Sequence, residues 1–224
     1  MIPLRDRNPS GIFPVVTLTL ILINVFVFLY EVQLGQALGP FLKRYALIPA
    51  EVAGSLRYGT VNFSDMLVPF LTSMFLHGGW LHLISNMWFL WIFGDNVEDT
   101  LGSFRYILFY LLCGFGAALS HFLVQPGSTL PVLGASGAIA GVLGAYAVLF
   151  PGARVVTLVP IFFFLQIIEL PALVVLGLWF ALQILSGFLE AASMGAGTAW
   201  WAHIGGFLAG IILIFVMKPR RVTV

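Results

Sequence analysis

Long apolar stretches separated by short polar ones dominate the chain. A helix needs about 20 apolar residues to cross roughly 30 Å of hydrocarbon. Six stretches approach or reach that length, at residues 13–30, 81–93, 103–124, 136–150, 170–186 and 199–217. The first is long for a signal-peptide core and is followed by no small-residue cleavage motif, so we expect it to be retained. The pattern predicts an all-α membrane protein, a single domain over residues 1–224 built as a bundle of six transmembrane helices.

Residues 31–65 break this pattern after the first span. They contain scattered Gly and Pro and the charged residues Lys43, Arg44, Glu51 and Arg57. Such a mixture is typical of irregular, solvated structure. We therefore predict a large folded extramembrane loop between the first and second spans.

The very apolar segment 155–168 is harder to assign. Pro151, Pro160 and Pro171 lie in or beside it, and a proline inside a helix removes a hydrogen bond and adds a steric clash. We expect this segment to be interfacial or re-entrant, and a seventh span is the alternative.

The composition supports a membrane protein and excludes several other classes. Of the 224 residues, 60% are hydrophobic and 8% are charged, and the mean hydropathy is +1.04, whereas about 25% of residues are charged in soluble proteins. A net charge of +1 gives no basic face for nucleic acid. The single Cys113 permits neither an internal disulfide nor a thiolate metal cluster.

The positive charges predict the orientation of the six spans. Lysine and arginine concentrate on the cytoplasmic side of membrane proteins. If both termini are cytoplasmic, that side holds Arg5, Arg7, Arg105, Arg154, Lys218, Arg220 and Arg221, and the outer side holds Lys43, Arg44 and Arg57. We therefore expect both termini inside, and a seventh span would spoil the asymmetry.

Polar side chains at membrane depth are expensive and need a partner or a function. Here they are few: His77, His82, Asn86, Ser136 and His203. Counting back from the inner ends of their spans, at Asp95, Phe150 and Met217, His82, Ser136 and His203 lie 13, 14 and 14 residues away. At 1.5 Å per residue all three reach about 20 Å above the cytoplasmic edge, in one layer.

Small residues predict that two of these spans pack closely. They recur at every fourth position, as Gly137, Gly141 and Ala145 in the fourth span and Ala202, Gly206 and Gly210 in the sixth. Such faces let helix backbones approach, as a hydroxyl and an imidazole in hydrogen-bond contact would require. The structural alternative is that the stripes serve packing alone, that Ser136 bonds a backbone carbonyl, and that His77 and His121 are interfacial residues near water.

These residues resemble the motifs of the rhomboid family of intramembrane serine proteases. Gly134-Ala135-Ser136-Gly137 is similar to its GxSG motif, residues 199–210 to its AHxxGxxxG helix, and His77, His82 and Asn86 to HxxxxHxxxN in its second helix; Glu98 lies four residues before Gly102, another family feature. The resemblance implies that Ser136 is the nucleophile and His203 the general base. It also implies that His82, Asn86 and the Ser136 backbone N–H hold the oxyanion, and that Gly134, Gly137, Gly141, Gly206 and Gly210 pack near the site.

Two departures from the family pattern concern packing. The first loop lacks a Trp-Arg pair, and Ala140 stands where some members have an aromatic residue that stacks on the catalytic histidine. Another group must therefore orient His203.

No carboxylate is placed to complete a triad, because Asp95, Glu98 and Asp99 belong at the opposite membrane edge, so we predict a Ser-His dyad. Because the fourth span is short, we expect loop 125–134 to dip into the membrane beside a wet cavity open to the outer side. We expect the fifth span to be a lateral gate.

The predicted activity is cleavage of membrane-anchored, mostly single-span proteins at or just below the outer face. We expect transmembrane protein substrates and membrane lipid as partners, no cofactor, no metal and a prokaryotic plasma membrane. An inactive rhomboid-like protein that binds membrane clients is the main alternative, and a transporter is a third. Metalloproteases and aspartyl proteases are rejected, since HExxH and a second membrane-depth Asp are missing.

Overall fold

The computed structural model describes residues 1–60, 62–161, 164–193 and 199–219. The helices are α1 Val15–Gln33, α2 Leu38–Tyr45, α3 Pro49–Tyr58, α4 Phe63–Thr72, α5 Trp80–Leu101, α6 Ser103–Val124, α7 Ser136–Leu149, α8 Ala172–Ser193 and α9 Trp200–Met217. The strands are β1 Ile2–Asp6, β2 Arg154–Ile161 and β3 Phe164–Pro171. Arg220 and Arg221, which entered the prediction of orientation, lie outside the described residues.

The predicted helical membrane bundle is confirmed, with α1, α5, α6, α7, α8 and α9 at the six predicted positions. Among the described residues, α1, α6, α8 and α9 are each long and apolar enough to cross a bilayer. The end of α4 and α5 form a fifth candidate, a pair of helices bent by 83° at a short break. Helix α7 has only 14 residues, so the count of six crossings stays a prediction.

Helices α6, α7 and α9 form the centre of the bundle, and small residues set their spacing. A Cβ atom added at Gly206 would collide with the carbonyl oxygen of Gly137, and one added at Gly210 would collide with that of Gly141. Gly137 in turn faces the methyl group of Ala117 on α6. The small faces named from the sequence therefore lie against each other, backbone to backbone.

Glu98 joins the far end of α5 to the start of α1. Its carboxylate is fully buried and accepts hydrogen bonds from the backbone N–H groups of Val16 and Thr17, at 2.9 and 2.8 Å. The hydroxyls of Thr17 and Ser103 also donate to it, at 2.8 and 2.9 Å. Helix α1 has no side-chain cap of its own, so a carboxylate from another helix supplies acceptors for its first amides.

The segment predicted as interfacial or re-entrant is a β-hairpin, and no strands were predicted there. Strands β2 and β3 pair antiparallel, and β1 adds to β2 to complete a three-stranded sheet in the order β1-β2-β3. Pro160 is tolerated because the β1 pairing ends at Leu158, opposite Ile2, which leaves Pro160 at an edge. The Trp88 indole donates to the Pro3 carbonyl at 2.7 Å and holds the sheet against α5.

The first loop is folded, as predicted, and it supports the loop before α7. It contains α2, α3 and the start of α4. Leu47 and Val132 exchange backbone hydrogen bonds of 3.3 and 2.7 Å, and the Ala50 N–H donates to Ser128 at 2.9 Å. Irregular backbone beside the bundle is thus paired with protein.

Candidate active site

Ser136 and His203 meet where α7 and α9 begin. Ser136 is the first residue of α7 and His203 the fourth of α9. The Ser136 Oγ lies 2.7 Å from Nε2 of His203, because Gly137 and Gly206 let the two backbones come into contact beside them. A hydroxyl and an imidazole at this distance are placed for proton transfer.

Gln183, which was not named from the sequence, contacts the other nitrogen of the His203 ring. Oε1 of Gln183, on α8, lies 2.7 Å from Nδ1 of His203, and both side chains are buried. An amide oxygen only accepts hydrogen bonds, so Nδ1 carries the proton and Nε2 keeps a lone pair for the Ser136 hydroxyl. In the sequence, the signal that could have identified Gln183 was a single amide side chain within a very apolar span.

Two tryptophans surround His203 in place of an aromatic residue at position 140. The Trp179 ring on α8 lies 6.0 Å from the imidazole centroid at an angle of 36°, and the Trp200 ring lies 5.9 Å away, edge to face. Ala140 is fully buried in the helical core. The departure from the family pattern at that position is therefore compensated from α8 and α9.

Three residues bring hydrogen-bond donors to the cavity that Ser136 lines. The Ser136 backbone N–H lies in the first turn of α7, where amides have no partner within the helix and the helix dipole is positive. Asn86 is buried, and its Nδ2 lies 3.0 Å from Nε2 of His77. Nδ1 of His82 accepts a 3.4 Å hydrogen bond from the Gly78 N–H, which leaves Nε2–H of His82 as a donor.

His77 is buried by protein contacts rather than interfacial, whereas His121 is buried on the wall of the same cavity as Ser136. Each is only 4% exposed. His77 contacts Asn86 through its ring, and its backbone N–H donates to Oε2 of Glu31 at 3.1 Å. Because Nε2 of His77 receives one amide N–H of Asn86, the rotamer of Asn86 is fixed and its second N–H is free.

Gly134 differs from the other four glycines named for helix packing. It lies in the loop before α7 with φ of 122°, a backbone conformation that favours glycine. A Cβ atom there would lie 2.6 Å from Nε2 of His82. Gly134 therefore makes room for the His82 ring beside Ser136 rather than for a helix.

The four predicted site residues line one cavity. Ser136, His203, His82 and Asn86 are all on the wall of a space of about 460 Å³. Loop 125–134, predicted to dip toward the site, supplies part of the same wall. Fold and site together define a multi-pass membrane protein with a serine-histidine pair facing a cavity.

Comparison with known proteins identifies the family. The rhomboid domain family matches residues 64–220. Rhomboid-like protein 11, chloroplastic, of Arabidopsis thaliana is 33% identical over 162 residues, which are 66% of this chain and 52% of that protein. RHOMBOID-like protein 6, mitochondrial, of the same plant is 30% identical over 206 residues, covering 83% and 60%. The human presenilin-associated rhomboid-like protein, mitochondrial, is 30% identical over 175 residues, covering 73% and 42%. The chain belongs to the rhomboid family.

The chain spans about half the length of the curated relatives that it matches. Their names place them in chloroplasts and mitochondria, and none supports the expected prokaryotic plasma membrane. That location stays a prediction.

Proposed function

We propose that the protein is an intramembrane serine endopeptidase that uses Ser136 and His203 as a dyad. The observation that carries the proposal is the 2.7 Å contact between Ser136 Oγ and His203 Nε2 on the wall of a cavity that also holds Asn86 and His82. A serine that only stabilised a helix would bond a carbonyl. Here it bonds the lone pair of an imidazole whose tautomer is already set.

Acylation follows from this geometry. The Ser136 oxygen attacks the scissile carbonyl while its proton passes to Nε2 of His203. The negative charge then develops on the carbonyl oxygen, within reach of the Ser136 N–H and of the donors from Asn86 and His82. When the tetrahedral intermediate collapses, the C–N bond breaks and the His203 proton goes to the leaving amine.

Deacylation uses the same groups a second time. A water molecule gives its proton to Nε2 of His203 as its oxygen attacks the acyl carbonyl. The ester bond breaks, the proton returns to Ser136, and a carboxylic acid product leaves. No carboxylate is required, because Gln183 supplies the acceptor for Nδ1 of His203.

The substrates that suit this site are membrane-anchored proteins. A transmembrane helix keeps its carbonyls in internal hydrogen bonds, so the cleaved segment must be one that unwinds easily, near the outer edge and with a small residue at the cut. With both termini cytoplasmic, as the positive charges predict, the cavity opens to the outer side.

Cleavage in proteoliposomes tests the proposal. The purified protein is reconstituted with a single-span test substrate, beside Ser136→Ala and His203→Ala. We expect cleavage by the wild type only, and labelling of the wild type but not of Ser136→Ala by a fluorophosphonate probe. A wild-type protein that binds the substrate but is neither labelled nor active would establish the alternative, an inactive client-binding member of the family.

A further inference from the structure

Gln183 is an unusual residue for its position. Helix α8 is apolar along nearly its whole length, and its lipid-facing side chains, such as Leu182 and Leu185, are 51% and 54% exposed. Gln183 is 8% exposed. A buried amide at membrane depth is costly unless it is hydrogen-bonded, and the partner of this one is the ring of His203.

The contact decides which nitrogen of His203 carries the proton. With Nδ1–H directed at Oε1 of Gln183, Nε2 accepts the hydroxyl proton of Ser136. In the other tautomer, the Nδ1 lone pair would face the Oε1 lone pairs, and Nε2–H would point at the oxygen that has to lose a proton. A neutral amide thus performs the orienting task that a carboxylate performs in a catalytic triad.

The surroundings of Gln183 hold it in register with α9. Trp179 lies one turn earlier on the same face of α8 and contacts both His203 and Phe207, at centroid distances of 6.0 and 6.2 Å. Phe180 stacks on Phe207 at 4.3 Å and 18°. Residues four apart share a helix face, so α8 presents the amide and an indole to His203 as one surface.

We infer that Gln183 is a positioning residue that selects the reactive tautomer and orientation of His203. The inference rests on the proposed peptidase function for its kinetic consequence, while its structural part, the protonation of Nδ1, can be measured without any cleavage. Gln183 acts only through His203, so its loss lowers kcat and leaves KM nearly unchanged.

The kinetic test compares Gln183→Leu with Gln183→Glu and with Gln166→Leu. Leucine removes the acceptor at similar size, glutamate retains one, and Gln166 is an exposed glutamine on β3 that undergoes the same chemical change. We expect kcat to fall by about 10²-fold or more for Gln183→Leu, to recover at least partly for Gln183→Glu, and to stay at the wild-type value for Gln166→Leu. A Gln183→Leu protein with kcat within about threefold of the wild type would overturn the kinetic part.

The tautomer is measured directly by 15N NMR of histidine-labelled protein in detergent. The chain has four histidines, and the His203 signals are assigned by their loss in His203→Ala. We expect the Nδ1–H form in the wild type and its depletion in Gln183→Leu. The Nε2–H form in the wild type overturns the inference even if every Gln183 variant fails to fold. An Nδ1–H ring in a protein that cleaves nothing would instead refute the peptidase and leave the positioning intact.

Discussion

Asn86 owes its orientation to His77, a residue outside the proposed catalytic set. One of its amide N–H groups is held by Nε2 of His77 at 3.0 Å, and the backbone of His77 is held by Glu31. The second N–H is directed by this arrangement rather than by the substrate. Such preorganised donors are the ones that stabilise a developing oxyanion.

At the residue scale we therefore predict a graded loss of activity. Asn86→Ala should lower kcat by about 10²- to 10³-fold, because one oxyanion donor is lost. His77→Leu should lower kcat by a smaller factor, since the donor remains and only its orientation is released. Initial rates of proteoliposome cleavage measure both, with Asn62→Ala in the first loop as the control. Equal losses for His77→Leu and Asn86→Ala would argue that His77 is itself a donor to the substrate.

Four of the proposed site residues could be named from the sequence because each lies in a motif of recognisable spacing: Ser136, His203, His82 and Asn86. Gln183 could not, because its role depends on how α8 packs across α9, and no local spacing encodes that contact. His77 was named from the sequence, with an interfacial position near water as the structural alternative. Its backbone N–H donates to Glu31, which the predicted end of the first span at residue 30 had assigned to the loop.

At the element scale, the contact of α7 with α9 depends on missing side chains. A Cβ atom at Gly210 would overlap the carbonyl oxygen of Gly141, whereas Gly177 on α8 has no atom within 4 Å of such a Cβ. Replacing glycine by alanine therefore adds a methyl group to a tight helix contact at Gly210 and to open space at Gly177.

We predict that Gly210→Ala destabilises the protein by about 1–3 kcal/mol, because the helices must separate. Gly177→Ala should be neutral or stabilising by up to about 1 kcal/mol, since alanine favours the helix. Thermal unfolding in detergent gives both values. Equal effects of the two substitutions would mean that the small residues of α7 and α9 do not set the distance between these helices.

The six helices of the bundle were predictable from apolar length alone, and the three strands were not. Both faces of the hairpin are apolar, so the alternation that marks a half-buried strand is missing. Its prolines excluded a helix but could not identify a sheet, because the sheet forms only when β1, about 150 residues earlier in the chain, pairs with β2.

At the scale of the whole molecule, Asp6 joins the N-terminal strand to two helices. Its carboxylate accepts hydrogen bonds from the Tyr146 hydroxyl at 2.6 Å and from Nδ2 of Asn96 at 3.2 Å. Burial raises the pKa of Asp6 from 3.8 to about 6, and the nearby Asp95 charge acts in the same direction. The native state therefore binds this proton more tightly than the unfolded chain does.

The raised pKa of Asp6 makes the folded protein less stable as the pH rises. Between about pH 4 and 6 the native protein holds a proton that the unfolded chain has lost, so this group destabilises the fold increasingly as the pH rises through that window. We predict that Asp6→Asn raises the stability at pH 7 by about 1 kcal/mol, a value reduced because the side chain is only half-buried. The gain should vanish toward pH 4. Thermal unfolding at several pH values checks this, with the exposed Glu51→Gln as control; a gain that is constant with pH would assign the effect to packing.

Helix α8 carries both the predicted entrance and the acceptor for His203, the proposed catalytic base. A hydrogen bond of 2.7 Å does not survive an outward shift of about 1 Å. If clients enter by displacing this helix, the histidine loses its alignment during their passage and regains it only after the helix has returned behind them. Such a protease would be inactive while α8 is displaced. Substrates that leave before the helix returns would escape hydrolysis, and only those still bound after its return would be cleaved.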